Sequence, residues 1–315
     1  MPTYDSLIAR ADVAALIPPE ISRLMLTSLS ETSAALSLGT RIPVATTQVR
    51  FPVLSALPSA YWVSPADTGI KETTEAAWDN KYLNIEEIAA IVPIPENVLA
   101  DSGFDVWAAM RPLIEAEIAR TFDLAVFFGT AAPASFEDDL VTAASGAGNT
   151  LARGTAATGV GGGIFQDLSN LVALVESDGY IPTGAVANTT LRPKLRTSRD
   201  TTGQLLDDDI SPSAIYGSPI GYPMPGLWPS GSTKPELILG DFSRLVVGVR
   251  QDITYKLITE GVITNGSNQI IYNLPQQDMV ALRVVFRAGY AVANPINYQR
   301  PTEAARYPFA ALLAP

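Results

Sequence analysis

Between positions 280 and 292 every second residue is apolar: Val280, Leu282, Val284, Phe286, Ala288, Tyr290 and Val292. Ala281, Arg283, Val285, Arg287 and Gly289 point the other way, because successive side chains of an extended chain alternate between faces. This period of two predicts one strand of about 13 residues, roughly 43 Å at about 3.3 Å per residue, more than twice the usual length. A second element is also long. Trp107, Met110, Ile114, Ile118, Phe122 and Val126 recur at three- or four-residue steps and predict a helix over 105–128. Asp105 suits its N-cap and Gly129 its stop, while Pro112 is expected to bend it or mark a late start. At about 1.5 Å per residue this helix exceeds roughly 30 Å. The two elements together predict a plate-like α+β protein rather than a sphere around a pocket.

The remaining segments are read in chain order. Residues 1–40 form an apolar arm with nothing of its own to pack against, and Ile21, Leu24, Met25 and Leu29 share one side of a predicted helix. Val49, Phe51 and Val53 then alternate as a strand does, before Pro58, Pro65 and Gly69 break any long element. Trp62 and Trp78 stand in this otherwise polar stretch. An extended hairpin with its return strand near 81–88 fits better than a surface loop, because about 40 residues is very long for a loop. A short buried strand is expected at 89–94 (AAIVPI), and Asp101-Ser102-Gly103 ends that region. Residues 130–163 are rich in Ala, Gly, Ser and Thr and read as a flexible linker. The run closing that stretch lacks the Lys-Ser/Thr of a phosphate loop and has no strand before it. Helices are expected over 165–177, with Gly179 as stop, and over 190–199. The last third predicts short strands at 237–239 and 245–249. It also predicts a type I′ hairpin at Asn265-Gly266, between ITYKLITE and QIIYNL.

Composition narrows the chemistry. The 315 residues contain no cysteine and no histidine. Disulfide scaffolds, thiolate or His-ligated metal sites, thiol nucleophiles and Ser-His-Asp triads are therefore excluded. Three carboxylate groups are dense enough to weigh for acid–base work: Glu86-Glu87, Asp138-Asp139 and Asp207-Asp208-Asp209. The first pair lies on a strand, so its members face opposite sides. The third lacks the alternation and the glycine of a calcium loop. No cofactor or metal is expected. The chain carries 21 Lys and Arg against 32 Asp and Glu, a formal charge of −11. Sequence-independent DNA binding needs cations to neutralise phosphates. The one local cluster, Arg192, Lys194, Arg196 and Arg199, reads as a solvated face. No apolar run reaches the roughly 20 residues of a membrane helix. The start, MPTYDSLIAR, is not a signal peptide, so an intracellular product with no membrane partner is expected.

The order of elements then points to a family. An apolar arm, a long hairpin, a long helix, a mixed α/β region and a final very long strand resemble the HK97-fold major capsid proteins of tailed bacteriophages. Residues 168–192 (LSNLVALVESDGYIPTGAVANTTLR), 215–225 (IYGSPIGYPMP), 238–251 (ILGDFSRLVVGVRQ) and 279–295 (MVALRVVFRAGYAVANP) look like family signatures. Arg50-Phe51-Pro52 and 60–64 (AYWVS) look like the start of the family's extended E-loop. The resemblance implies an HK97-like α+β fold with an N-terminal arm at 1–44 and an E-loop at 45–88. The P-domain would comprise 89–162 with its spine helix at 105–128, and 276–315 with its long strand at 279–292. The A-domain would comprise 163–275.

The implied function is structural and non-catalytic. Copies of the chain would assemble as hexamers and pentamers into an icosahedral head around double-stranded DNA, without sequence-specific binding. The place of the protein would be the virion, after assembly in the host cytoplasm. A separate scaffolding protein, or none, is expected, since the E-loop begins too early to leave room for a scaffolding domain; separate portal and decoration proteins are further candidate partners. Trp62, Trp78, Lys71, Leu24 and Met25 are candidates for inter-subunit contact; the two tryptophans alternatively fold into the hairpin's own base. Some relatives crosslink an E-loop Lys to a P-domain Asn, and Lys71, Asn294 and Asn297 supply such parts, although coincidence accounts for them more simply. The alternative functions are an encapsulin-type compartment of the same fold and, from another class, a carboxylate-dependent hydrolase.

Overall fold

A computed structural model of the chain describes residues 33–62, 71, 73–103, 105–155, 163–197, 210–223, 226–228 and 235–315. Leu24 and Met25 lie outside the described residues, as do the predicted arm up to Thr32, the hairpin tip at 63–70 and Asp207-Asp208-Asp209.

Six helices occur among the described residues: α1 (Ala34–Leu38), α2 (Glu96–Asp101), α3 (Val106–Phe128), α4 (Leu140–Gly146), α5 (Ile164–Ser177) and α6 (Leu191–Thr197). The strands before α4 are β1 (Thr40–Pro43), β2 (Gln48–Ala56), β3 (Ala77–Asn84) and β4 (Glu86–Pro95). After it come β5 (Thr150–Ala152), β6 (Gly184–Ala187), β7 (Ala214–Ile215), β8 (Ser218–Gly221), β9 (Pro235–Gly240) and β10 (Leu245–Ile258). The last four are β11 (Val262–Thr264), β12 (Ile270–Asn273), β13 (Met279–Val292) and β14 (Phe309–Leu313). They form a four-stranded sheet β1-β10-β13-β4, a six-stranded sheet β5-β14-β9-β6-β8-β7, and the two hairpins β2-β3 and β11-β12. The mixed α+β class is as expected.

Both long elements are present. Strand β13 has 14 residues, and only Arg283 is exposed and Arg287 half-buried along it. Helix α3 starts at Val106, where the Ala108 N–H donates to Asp105 Oδ1 at 3.1 Å, so Asp105 does cap it. Pro112 does not delay that start. It lies inside the helix and costs only the bond its missing N–H would make one turn back.

Other expectations need correcting. Strand β4 is ten residues rather than a short buried run, and only Ile94 is fully buried, because β4 lies at a sheet edge and keeps one side open. The expected linker holds α4 and β5; Asp139 nucleates α4 by accepting the Val141 and Thr142 N–H groups at 3.1 and 3.0 Å. The hairpin near Asn265 pairs β11 with β12, whereas residues 253–258 continue the long strand β10. The turn is longer than two residues. The Asn265 side chain accepts from Ser267 and Gln269 N–H, and Asn268, not Gly266, takes positive φ.

The trace divides into two units. In one (87–119 and 251–288 among the described residues), Ile94, Val98 and Val106 pack with Trp107 and Met110, and Leu274, Met279 and Ala281 pack with Ile258 and Tyr272. The Tyr255 hydroxyl donates to the Glu115 carboxylate, Arg111 lies 5.5 Å over the Tyr255 ring, and Arg287 Nε donates to Glu87 at 2.8 Å. The other unit (33–86, 120–250 and 289–315) has its main core between α5, α6 and the six-stranded sheet. Leu168, Leu171 and Val175 from one side meet Leu237, Leu239, Ala310 and Leu312 from the other. Arg153 and Lys194 both reach the nearly buried Glu236 at 2.8 Å, so two of the sparse cations share one carboxylate.

In this second unit the β2-β3 hairpin is seated by two glycines. A Cβ on Gly289 would lie 1.8 Å from the Asn84 carbonyl oxygen, so only glycine lets the end of β3 pass there. A Cβ on Gly248 would meet Leu83 Cδ2 at 2.7 Å and Ile85 Cδ1 at 3.0 Å. Above this seat Val49 and Phe51 pack with Val44, Leu83, Ile85 and Ala291. Lys81, opposite Phe51 on the same inner face, is 3.9 Å from Glu137 and 3.7 Å from Glu303. Burial pushes the Glu137 carboxyl above its usual range, and Lys81 pulls it part of the way back.

Gly289→Ala is expected to cost more than the roughly 1–3 kcal/mol of ordinary overpacking, because the clash is with backbone. Gly248→Ala meets flexible side-chain ends and should stay within that range; paired denaturant titrations check the order. Lys81→Met is expected to cost about 0.2–1 kcal/mol near neutral pH, since the pairs are partly solvated. A raised carboxyl stabilises the fold below its unfolded value and loses that contribution as pH rises through its folded value. Removing Lys81 deepens this loss, so the cost of Lys81→Met should be clearly smaller at about pH 3, where the raised Glu137 carboxyl is protonated, than near neutral pH. An equal cost at both pH values would contradict the pairing.

Candidate functional site

The hairpin has two unlike faces. Its register sets Arg50 opposite Tyr82, Pro52 opposite Asn80 and Leu54 opposite Trp78 on one side. Val49 with Leu83 and Phe51 with Lys81 fill the other, which faces the core. The outer side is unsupported: Trp78 is 68% exposed and Tyr82 46%. The register shifts between Leu54 and Ala56, a bulge that strengthens local twist where the hairpin leaves its base. Beyond it Trp62 is 98% exposed. Neither tryptophan folds into the base of the hairpin. Lys71 is exposed as well.

Alongside the hairpin a cleft is lined by Val53, Leu54, Lys81, Asn294, Glu303 and Arg306. Its floor is wired internally. Arg306 is buried, and its guanidinium donates to the carbonyls of Pro295 (3.1 Å), Asn294 (3.1 Å), Arg300 (3.3 Å) and Pro301 (2.9 Å). Asn294 accepts from the Tyr180 hydroxyl at 2.7 Å and donates to the Arg306 carbonyl at 3.0 Å. Asn297 donates to the Asp178 carbonyl at 2.7 Å and accepts from Arg300 N–H at 2.7 Å. The structure thus gathers both asparagines into one loop held by Arg306, and among the described residues neither bonds to Lys71.

The carboxylate candidates disperse. Glu86 accepts from Ser135 Oγ at 2.5 Å, Glu87 pairs with Arg287, and Asp139 is spent as a helix cap. Burial, then the carboxylates of residues 137–139, push the Tyr290 hydroxyl up; burial likewise raises Tyr307 and Tyr180, so these side chains stay neutral. Among the described residues no group of three or more metal-binding side chains converges, and no helix is long and apolar enough to cross a membrane. The arrangement offers an exposed aromatic face on the outer side of the hairpin.

Sequence reasoning missed Lys81 and Arg306. Lys81 left a signal, a cation at an inward position of the hairpin alternation; Arg306 left none, because its partners are backbone carbonyls.

Comparison with known proteins gives a consistent result. The model of the phage capsid family matches residues 13–297. The chain is 27% identical over 281 residues to the major capsid protein of Staphylococcus phage 80alpha, which covers 87% of this chain and 81% of the relative. A solved chain from Microbacterium phage Oxtober96 matches with a TM-score of 0.83 at 36% identity, covering 98% of this chain and 100% of that one. Another from Mycobacterium phage Cain matches with a TM-score of 0.82 at 30% identity, covering 98% and 99%. These matches bear out the HK97-like α+β fold, and the chain belongs to the phage capsid family.

Proposed function

We propose that this chain is the major capsid protein of a tailed double-stranded DNA phage, a structural subunit without catalytic activity. Copies assemble as hexamers and pentamers into an icosahedral head, so the working location is the virion, after assembly in the host cytoplasm. The observation that carries this reading, beside family membership, is the β2-β3 hairpin. It leaves Trp78 exposed on its outer side, and Trp62, six residues beyond the end of β2, is exposed as well. Large aromatic side chains left open in this way are the usual anchors of protein interfaces. Neighbouring copies supply the missing cover as head-to-tail contacts that close into rings. The segments take the roles of arm (1–44), E-loop (45–88), P-domain (89–162 and 276–315) and A-domain (163–275). An acidic wall confines DNA without gripping it, which suits packaging.

Electron microscopy of the expressed protein tests the reading: capsomers or closed shells are expected, and a stable monomer at every concentration would sink it. The double variant Trp62→Ser/Trp78→Ser should keep wild-type stability within about 0.5 kcal/mol, because both side chains are exposed. Its assembly midpoint by light scattering should rise at least tenfold, as truncating an interface anchor costs roughly 2 kcal/mol or more. Lys71, Asn294 and Asn297 are not joined covalently in this reading. Shells boiled in detergent should run as one band near 33.4 kDa, and a ladder of multiples would reverse that point.

A further inference from the structure

Asp123 is a carboxylate in the middle of a helix, 3% exposed, between the buried Phe122 and the buried Val126. A charge at such a position must be hydrogen-bonded to be tolerated. Its donors come from 90 residues upstream. Asp123 Oδ1 accepts the Ser33 hydroxyl at 2.5 Å and the Ala35 N–H at 3.1 Å, and Oδ2 accepts the Ala34 N–H at 2.8 Å. Ser33 is meanwhile the N-cap of α1, its Oγ accepting the Leu36 N–H at 3.1 Å. The opposite end of α1 is closed by Arg41 Nε, which donates to the Leu36 carbonyl at 2.5 Å, and the Ser37 hydroxyl donates to the Ala34 carbonyl at 3.0 Å. Five residues of helix do not hold themselves together in water, so α1 owes its existence to these partners. Burial pushes the Asp123 carboxyl up to about 6, against the lowering by its three donors.

The chain after α1 is fixed by different means. Gly39 passes so close to β10 that a Cβ would lie 3.0 Å from the Leu245 carbonyl oxygen, and β1 then pairs in parallel with β10 from Thr40 to Pro43. The Val44 N–H closes this ladder on the Val249 carbonyl at 3.0 Å. The two attachments use different parts of the body, α3 and β10, and meet through Arg41 and through the Gly39 N–H, which donates to the Ala35 carbonyl at 3.0 Å.

We propose that Asp123 is a latch: its carboxylate docks the Ser33–Leu38 turn on α3, an attachment additional to the β1-β10 ladder. Asp123 is a positioning residue, and the latch is a local device that opens without unfolding its surroundings. Its bearing on assembly rests on the shell-forming reading, because only there does the direction of an N-terminal segment matter to a neighbour. The docking itself does not depend on that reading.

Amide hydrogen exchange on the full-length chain tests it, with Asp123→Ala, Asp123→Asn and Ser33→Ala compared with wild type. Exchange at Ala34, Ala35 and Leu36 should rise at least tenfold in Asp123→Ala. It should rise less in Asp123→Asn, which keeps one acceptor oxygen, and at Leu36 most clearly in Ser33→Ala. Protection of Val44 should stay as in wild type throughout. Unchanged exchange at Ala34 and Ala35, or loss of protection at Val44 to the same degree, would overturn the latch. If Asp123→Ala does not fold, Asp123→Asn and Ser33→Ala carry the same comparison. A wild-type chain that never assembles counts against the shell-forming reading alone and leaves the exchange result to decide the latch.

Discussion

The C-terminal end of β13 is covered on both faces, and the base of the hairpin follows from how that is done. On one face Gly289 leaves room for the Asn84 carbonyl, and Ala291 packs with Leu83 and Ile85. On the other the Phe136 ring meets Tyr290 edge-on at 5.3 Å, and the Tyr290 hydroxyl donates to the Glu137 carbonyl at 3.0 Å. The Val292 N–H reaches the Glu137 carboxylate at 3.4 Å. A strand clasped in this way cannot shift by one residue without turning every side chain to the wrong face. The hairpin inherits that register, because its last residue is the one that sits on Gly289.

How the strand would be clasped was not legible from its alternation. Arg283 and Arg287 share a face with Ala281 and Gly289, a pattern that reads as one wet and one dry side. The structure instead confines the wet part to those two arginines and buries the small residues around them. Small side chains signal little in a hydropathy pattern, yet here they mark where another backbone comes close. The same blindness explains the other misses. Helix α4 is short and built of residues that also suit a linker, so its one strong cue was Asp139 as a cap. Arg306 bonds only to carbonyls, and carbonyls are the same at every position. The elements that were legible are those whose side chains alternate or repeat over many residues: β13, α3, α5 and the hairpin.

The hairpin also shows where self-sufficiency stops. A two-stranded ribbon is marginal in water unless one face is packed. Up to Phe51 and Lys81 the inner face is packed on the core, while the outer face carries exposed aromatic side chains, Tyr82 and, opposite Leu54 at the bulge, Trp78. A chain that is 47% hydrophobic and only 17% charged leaves large aromatic groups open in that region while its interior is close-packed. The surplus therefore has a location, and the proposed contact with a neighbouring copy falls there.

The missing histidine bears on this arrangement as well. Without it no side chain has an ordinary titration point between pH 5 and 8. Protonation near neutral pH then falls on carboxylates that burial has lifted. Two of these are Asp123, raised to about 6, beneath the Ser33–Leu38 turn, and Glu137, raised beneath the root of the hairpin. In each case the charged form is held by groups from another segment: the Ser33 hydroxyl and two amides for Asp123, Lys81 for Glu137. Both couplings are local, because burial sets each carboxyl before any distant charge does. Acidification weakens both contacts, at Ser33 and at the root of the hairpin, by removing the charge that these donors hold.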